Sequence, residues 1–545
     1  MNQKPFAITL GVGSSLNNKT GSWRVERPVY VDRLSPCNHA CPAHENIQGW
    51  LYQAEEGSYE AAWRILMRSN PLPAIMGRAC FHPCESACNR IHIDEAVGIN
   101  AVERFLGDTA IEFGWDIDVV APLTGKRVLV VGSGPAGLSA AYHLRLQGHD
   151  VEVHESAPLL GGMLRYGIPQ YRLPRDVVDA EIARIQRMGV TFVTRSYVDD
   201  LNSFMSTGRF DASFLGIGAQ RGRNPEIPSG DAAKILDAVT MLHDFEDGEE
   251  PALGRRVVVY GGGDTAMDAA RTAQRVGATE TIVVYRRTRE RMPAHDEEFF
   301  DAEAEGVQMR WLSTVTRCEG GRLMLEKMVL NEKGLAQGTG EFEELEADSL
   351  VLALGQDTDL TLLHDTVGVD TSANLIGIDQ DQMTGRAGVF AGGDAAFTLT
   401  GERTVTAAVG HGAVAAASIG AYLDGRAKTA APDAAFATVD RLNPWYYADA
   451  PRTVRPRLEA ARRRSNFDEV VGGLSADDAL FEARRCMSCG NCFECDNCFG
   501  VCPDNAVLKL GPGLGYEINL DYCKGCGICA QECPCGAIDM VAERR

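Results

Sequence analysis

Eleven of the chain's seventeen cysteines fall between Cys486 and Cys535, and eight of those form two copies of one pattern. Cys492-x2-Cys495-x2-Cys498-x3-Cys502-Pro503 recurs 31 residues later as Cys523-x2-Cys526-x2-Cys529-x3-Cys533-Pro534. Paired runs of this kind hold two [4Fe–4S] clusters, and the fourth cysteine of each run ligates the other run's cluster. The spacing assigns Cys492, Cys495, Cys498 and Cys533 to one cluster, and Cys523, Cys526, Cys529 and Cys502 to the other. Cys489 also stands in x2 spacing before Cys492, which leaves the register open by one step; the x3-Cys-Pro ending favours Cys492. Zinc would need four ligands and no Cys-Pro run. Cys486, Cys489 and Cys535 receive no role.

Five more cysteines lie between Cys37 and Cys88. Cys80-x3-Cys84-x3-Cys88 spaces three thiols one helical turn apart, and Cys37-x3-Cys41-Pro42 offers two from another segment. That density exceeds any packing need. The opening MNQKPFAITLG has no apolar leader region, so clustered cysteines are expected to be metal ligands rather than disulfides. Cys318 stands alone.

Iron–sulfur clusters carry single electrons, and the elements that would feed them lie between the two cysteine groups. KRVLVVGSGPAGLSAAYHLRLQGHDVEVHE reads as a buried strand, a tight turn, a helix to about Leu146, and a second strand over 150–154 ending on Glu155. Gly132 permits the turn, Gly134 lets a pyrophosphate approach backbone N–H groups, and Gly137 allows close helix–strand packing. The helix N-terminus adds partial positive charge. Glu155, 23 residues after Gly132, is placed to accept from ribose hydroxyls. The loop GGMLRYGIPQYRLP follows, with Gly162 at its start, and suits a flat ring or a long surface loop.

The signature returns 129 residues later as Gly261-x-Gly263-x-x-Ala266, with Asp264 after its second glycine. Here Arg286 and Arg287 take the place of the ribose-binding acid, which favours a 2′-phosphate and hence NADPH over NADH. Two such units describe a flavoprotein, with FAD in the first and a nicotinamide nucleotide in the second. GVFAGGDAAF then offers Gly393 and Asp394, the latter to accept from the FAD ribityl hydroxyls, before a small-residue helix from about Thr404. The FAD domain is therefore expected to be split, with the nicotinamide domain inserted.

A net charge of −22 argues against nucleic acid as a partner, and 45% hydrophobic residues fit a globular chain. The most apolar window, 407–423, falls short of a membrane span by this reading. The expected fold class is α/β: two Rossmann-like domains of the disulfide-reductase type, a helical N-terminal Fe–S domain and a C-terminal α+β ferredoxin-like domain. The expected boundaries are 1–125 for the helical Fe–S domain, 126–245 and 366–425 for the two parts of the FAD domain, and 246–365 for the NAD(P)H domain. Residues 426–485 read as a linker containing a helix at LEAARRRSN, and 486–545 as the two-cluster ferredoxin domain.

From Pro36 to Leu423 the chain resembles the small (β) subunit of NADPH-dependent glutamate synthase. The same module occurs in dihydropyrimidine dehydrogenase and in the larger subunit of NADH-dependent ferredoxin:NADP oxidoreductase. GRACFHPCESAC, VERF, VVGSGPAGL, GGMLRYGIP, GGGDTAMD, YRRTRERMPA and AGGD carry the likeness, and the tail resembles bacterial two-cluster ferredoxins. The resemblance implies FAD, NADPH (with NADH open) and one N-terminal [4Fe–4S] cluster at the positions of Cys41, Cys80, Cys84 and Glu103. The family's other N-terminal cluster uses an upstream CxxC with the positions of Cys37 and Cys88, and this chain has no cysteine before Cys37.

The expected activity is electron transfer between NAD(P)H and ferredoxin or a partner oxidoreductase subunit, in the cytoplasm and within a hetero-oligomeric complex. Its rival is the small subunit of a glutamate synthase. Disulfide reduction is excluded, because no CxxC lies between Cys88 and Cys486. Glutamate synthesis by the chain itself is not expected, since position 2 is not a cysteine. No catalytic acid or base is assigned.

Overall fold

The computed structural model describes residues 19–223, 227, 234–249, 251–397, 403–427 and 434–543; the opening stretch read above for a leader lies outside them. Two parallel five-stranded sheets organise the middle of the chain. In the first, Arg127–Val131 lies between Asp150–His154 and Ala212–Leu215, with Thr191–Val193 and Val389–Ala391 at the edges. Val128, Leu129 and Val130 are fully buried, as a parallel strand covered on both faces requires. Val389–Ala391 pairs with Ala212–Leu215 although a whole second sheet intervenes in sequence, so this sheet is built from two separate stretches of chain.

The second sheet orders Gln308–Arg310, Glu280–Val284, Arg256–Gly261, Ser349–Ala353 and Lys234–Asp237. Lys234–Asp237 lies before the boundary expected at 246, yet it hydrogen-bonds to Ser349–Leu352 and belongs here. An antiparallel three-stranded sheet of Ser313–Glu319, Arg322–Leu330 and Ala336–Glu346 is appended.

Residues 36–112 form short helices around a core that includes the fully buried Trp50 and Trp63. Pro73–Ala79 and Ile99–Glu112 cross closely, because Gly77 and Gly107 leave no side chain between the backbones. A Cβ on Gly77 would meet Arg104 Cα at 2.4 Å, and one on Gly107 would meet Ala74 N at 2.3 Å.

Val405–Leu423 is long and apolar enough, by length and composition, to count as a candidate membrane span, contrary to the expectation from its sequence window. It is nonetheless an interior helix. It packs along Pro135–Leu146, and Cβ atoms at Gly410 and Gly412 would meet Pro42 O at 2.0 Å and Ala136 O at 2.4 Å.

The segment read as a linker packs on the body. Its expected helix at LEAARRRSN shrinks to Ala460–Arg463, since Arg463 turns its side chain onto Leu458 O and the Asp301 carboxylate instead of continuing a solvated face. A longer helix, Ala476–Arg484, leads to the buried Arg485, which donates to Ala96 O, Glu95 O and Ala450 O. The two ends of the described chain meet: Glu26–Tyr30 runs antiparallel to Ile538–Ala542.

Candidate redox site

The first glycine turn opens onto a cleft of about 610 Å³ lined by Gly132, Gly134, Glu155, Gly162, Gly393 and Asp394, six of the seven residues expected to hold FAD. The seventh, Gly137, lies beneath, where a Cβ would strike Gly132 O at 1.9 Å. Gly134 is the opposite case: a Cβ there would meet no protein atom within 4 Å, so its space is left for a ligand. Gly162, at φ +52°, abuts it, its Cβ position being 2.9 Å from Gly134 Cα. Ser133 donates to Glu155 Oε2 from both its N–H (2.9 Å) and its hydroxyl (2.6 Å), and Ala157 N–H donates to Oε1 at 2.9 Å. These bonds pin the carboxylate at the strand end.

Across the cleft, burial pushes the Asp394 carboxyl up and Arg403 pulls it back. His411, whose pKa burial lowers, accepts from Gly393 N–H at 3.1 Å. Thr404 caps the interior helix by accepting from Ala407 N–H at 3.2 Å, and Thr404 and Val405 line the same cleft. The donor and acceptor set, with the open cradle at Gly134, fits an FAD.

The second glycine turn faces the first over this cleft, and Asp264 lines it. A Cβ on Gly263 would likewise meet nothing within 4 Å. Asp264 accepts from His295 N–H at 2.9 Å and contacts its Nδ1 at 2.9 Å. Arg286 is exposed and Arg287 half-buried; among the described residues neither pairs with a carboxylate, and Arg287 Nε has no partner. Both stand past the end of Glu280–Val284, away from the residues lining the cleft.

Sequence reasoning placed no residue between the nucleotide units and the cysteines, and the structure supplies several. Thr406, on the first turn of the interior helix, donates its hydroxyl to Cys80 Sγ at 3.0 Å. Phe81 lines the cleft and stacks on His295 with centroids 3.4 Å apart and planes 4° off parallel. Tyr166, from the loop read as suited to a flat ring, stacks at 4.3 Å on His243 of the second unit. No periodicity or spacing announces these partners; only the aromatic in GGMLRYGIP hinted at one.

Cys41, Cys80, Cys84 and Glu103 come within electrostatic range of one another. Burial raises the Cys80 thiol to about 12 and lifts Glu103 well above the carboxylate range. Asn70 Nδ2 bridges Glu103 (2.7 Å) and Glu45 (3.0 Å). In the C-terminal domain Cys502, Cys523, Cys526 and Cys529 line one small cavity. Cys492, Cys495, Cys498 and Cys533 form a second group within electrostatic range, and Tyr30 donates to Cys498 Sγ at 3.2 Å. The structure thus groups these eight cysteines four and four, each group taking one residue from the other run. Cys318 is buried in the second unit, apart from all of these.

Residues 126–412 match the family described as pyridine nucleotide-disulphide oxidoreductase. Residues 27–115 match domain II of dihydropyrimidine dehydrogenase, a 4Fe-4S cluster family, and 516–539 a 4Fe-4S binding domain. The glutamate synthase [NADPH] small chain of Azospirillum brasilense is 34% identical over 73% of this chain and 87% of its own. The chain belongs to the NADPH-dependent iron–sulfur flavoproteins of the glutamate synthase small-subunit type. As such it is an NAD(P)H-dependent oxidoreductase. Two further relatives cover more of this chain. The NADP(+)-dependent formate dehydrogenase subunit beta of Moorella thermoacetica is 34% identical over 84% of this chain and 70% of its own. The NADPH-Fe(3+) oxidoreductase subunit beta of Geobacter sulfurreducens is 31% identical over 85% and 77%. All three are named as subunits or chains of larger enzymes. The family name includes disulfide reduction, and Cys318 is the only cysteine between Cys88 and Cys486.

Proposed function

We propose that this protein is the electron-input subunit of a larger complex, moving electrons between NADPH and ferredoxin or a partner oxidoreductase subunit. FAD, when bound, accepts the two electrons of a hydride and releases them singly, which joins nicotinamide chemistry to iron–sulfur chemistry. Gly132 and Gly134 form the phosphate turn, Glu155 holds the ribose hydroxyls, and Asp394 accepts from the ribityl chain. The N-terminus of Val405–Leu423, which lines the cleft at Thr404 and Val405, would offer backbone N–H groups and partial positive charge to the ring when FAD is bound. Gly261, Gly263 and Asp264 seat the nicotinamide nucleotide, and Arg286 with Arg287 takes the 2′-phosphate. Cys41, Cys80, Cys84 and Glu103 hold the N-terminal cluster, and the two crossed quartets hold the C-terminal pair. The site of action is the cytoplasm.

The observation that carries this reading is the Thr406–Cys80 hydrogen bond, because it joins the first turn of the flavin-side helix directly to a cluster thiol. Anaerobic mixing of the purified protein with NADPH or NADH, followed by ferredoxin or a viologen dye, tests it. NADPH should bleach the flavin and reduce the acceptor, and NADH should do so far more slowly. Flavin bleaching without acceptor reduction, restored only by a glutamate synthase large subunit, would favour the small-subunit alternative.

A further inference from the structure

Of the six cysteines outside the three quartets, four come together. Cys37 and Cys88 are contributed by the N-terminal domain. Cys486 and Cys489 come from the segment leading into the ferredoxin domain, about 450 positions away along the chain. All four line one small cavity of about 20 Å³. The cavity lined by Cys502, Cys523, Cys526 and Cys529 also measures about 20 Å³. One cavity therefore reproduces the other in size and in its complement of thiols, and the second belongs to a recognised cluster motif. Packing alone gives no reason for the match.

We infer that Cys37, Cys88, Cys486 and Cys489 ligate a further [4Fe–4S] cluster, its CxxC pair supplied from the C-terminal side of the fold. The surrounding groups are of the right kind. Ser488 N–H donates to Cys486 Sγ at 3.4 Å. No carboxylate lines the cavity, and its charged lining residue is Arg90, so a cluster carrying four thiolates meets no anionic wall.

The location gives the cluster a task. Cys37 is one helical turn from Cys41, Cys88 one turn from Cys84, and Cys489 three residues from Cys492. The quartet thus shares short stretches of chain with the N-terminal quartet on one side and the ferredoxin domain on the other, and Cys486 and Cys495 line a common cavity. One electron at a time can pass between those neighbours through this position, with no bond made or broken and no proton needed. Buried Arg485 anchors the Cys486 segment to Ala96 O at 2.9 Å and so fixes the two halves of the site together.

The inference rests on the reading of the chain as a cluster-bearing flavoprotein, so flavin content and bleaching by NADPH are measured on the same samples. The test is iron and acid-labile sulfide per chain in the anaerobically reconstituted full-length protein, with native mass spectrometry to count clusters. About sixteen irons are expected, four per cluster, falling to about twelve in the C486S/C489S double variant with flavin and NADPH bleaching retained. A wild-type value near twelve, equal iron in wild type and double variant, or one zinc in place of four irons would overturn the inference. Should the double variant fold poorly, the C37S variant approaches the same site from the other domain and should lose the same spectroscopic component from the reduced wild-type spectrum. Loss of a different component in C37S would also overturn it.

Discussion

The hydroxyl of Thr406 donates to Sγ of Cys80 across 3.0 Å, although 326 residues separate them in sequence. Thr406 sits on the first turn of the helix whose start lines the flavin cleft, and Cys80 belongs to the N-terminal quartet. The helix thereby connects the cleft with the buried cysteine group at Cys80. A hydrogen bond to a cluster sulfur stabilises the more negative, reduced state and raises the potential.

Replacing Thr406 by valine should therefore lower the potential of the N-terminal cluster. A net hydrogen bond of ~1 kcal/mol corresponds to roughly 40 mV for one electron. An EPR-monitored redox titration reads the shift, and flavin content and the C-terminal cluster signals should not change.

Gly134 and Gly137 should fail in different ways. A methyl at Gly134 meets only ligand space, so G134A should keep the apoprotein's melting temperature while losing FAD affinity. A methyl at Gly137 falls 1.9 Å from Gly132 O, and G137A should cost the apoprotein about 1–3 kcal/mol through overpacking. Calorimetry of the two apoproteins, with FAD titration, separates the two roles.

Arg286 and Arg287 have no carboxylate partner among the described residues, which leaves both guanidiniums available to a phosphate. The R286Q/R287Q variant should raise KM for NADPH by about 10- to 100-fold, the equivalent of 1.5–3 kcal/mol for hydrogen bonds to a charged group. KM for NADH should stay within about twofold, since NADH carries no 2′-phosphate to be released. Steady-state flavin reduction with both nucleotides decides it.

Glu305 is buried between Arg271 (2.9 Å) and Arg275 (2.7 Å) in the second nucleotide unit. Burial alone would raise its pKa; the hydrogen bonds from Arg275 and Arg271 more than reverse that and hold it below the usual value. A carboxyl held low when folded contributes stability above its unfolded pKa, near 4.3, and loses it as pH falls through the folded value. E305Q strands Arg275, while Arg271 keeps Glu298 at 2.9 Å, and should destabilise the protein by about 3 kcal/mol near neutral pH. The gap from wild type should narrow as the pH is taken below about 4. Chemical denaturation across pH measures both.

What the sequence made legible was what lies close along the chain. Both glycine turns are legible in the sequence because each is written within about thirty residues: each forms a strand, a turn and a helix in the structure. Lys234–Asp237 pairs with Ser349–Leu352, and a short half-exposed strand carries no label for its partner. Cys486 and Cys489 had no assignment because their companions, Cys37 and Cys88, come from the other end of the chain. Phe81 and His295, Thr406 and Cys80, and Tyr166 and His243 are likewise tertiary pairs. Residue type could not announce them, and only the folded arrangement brings them together.

The central claim is that paired electrons entering at the nicotinamide unit leave singly through cysteine-bound iron. Its most direct measurement is an anaerobic titration of the purified protein with NADPH, following flavin absorbance and low-temperature EPR on the same samples. The account predicts that flavin bleaching is accompanied by cluster signals whose spin count grows with added NADPH until more than one nucleotide per chain has been consumed. A flavin that takes up a single NADPH while every cluster stays oxidised would contradict it.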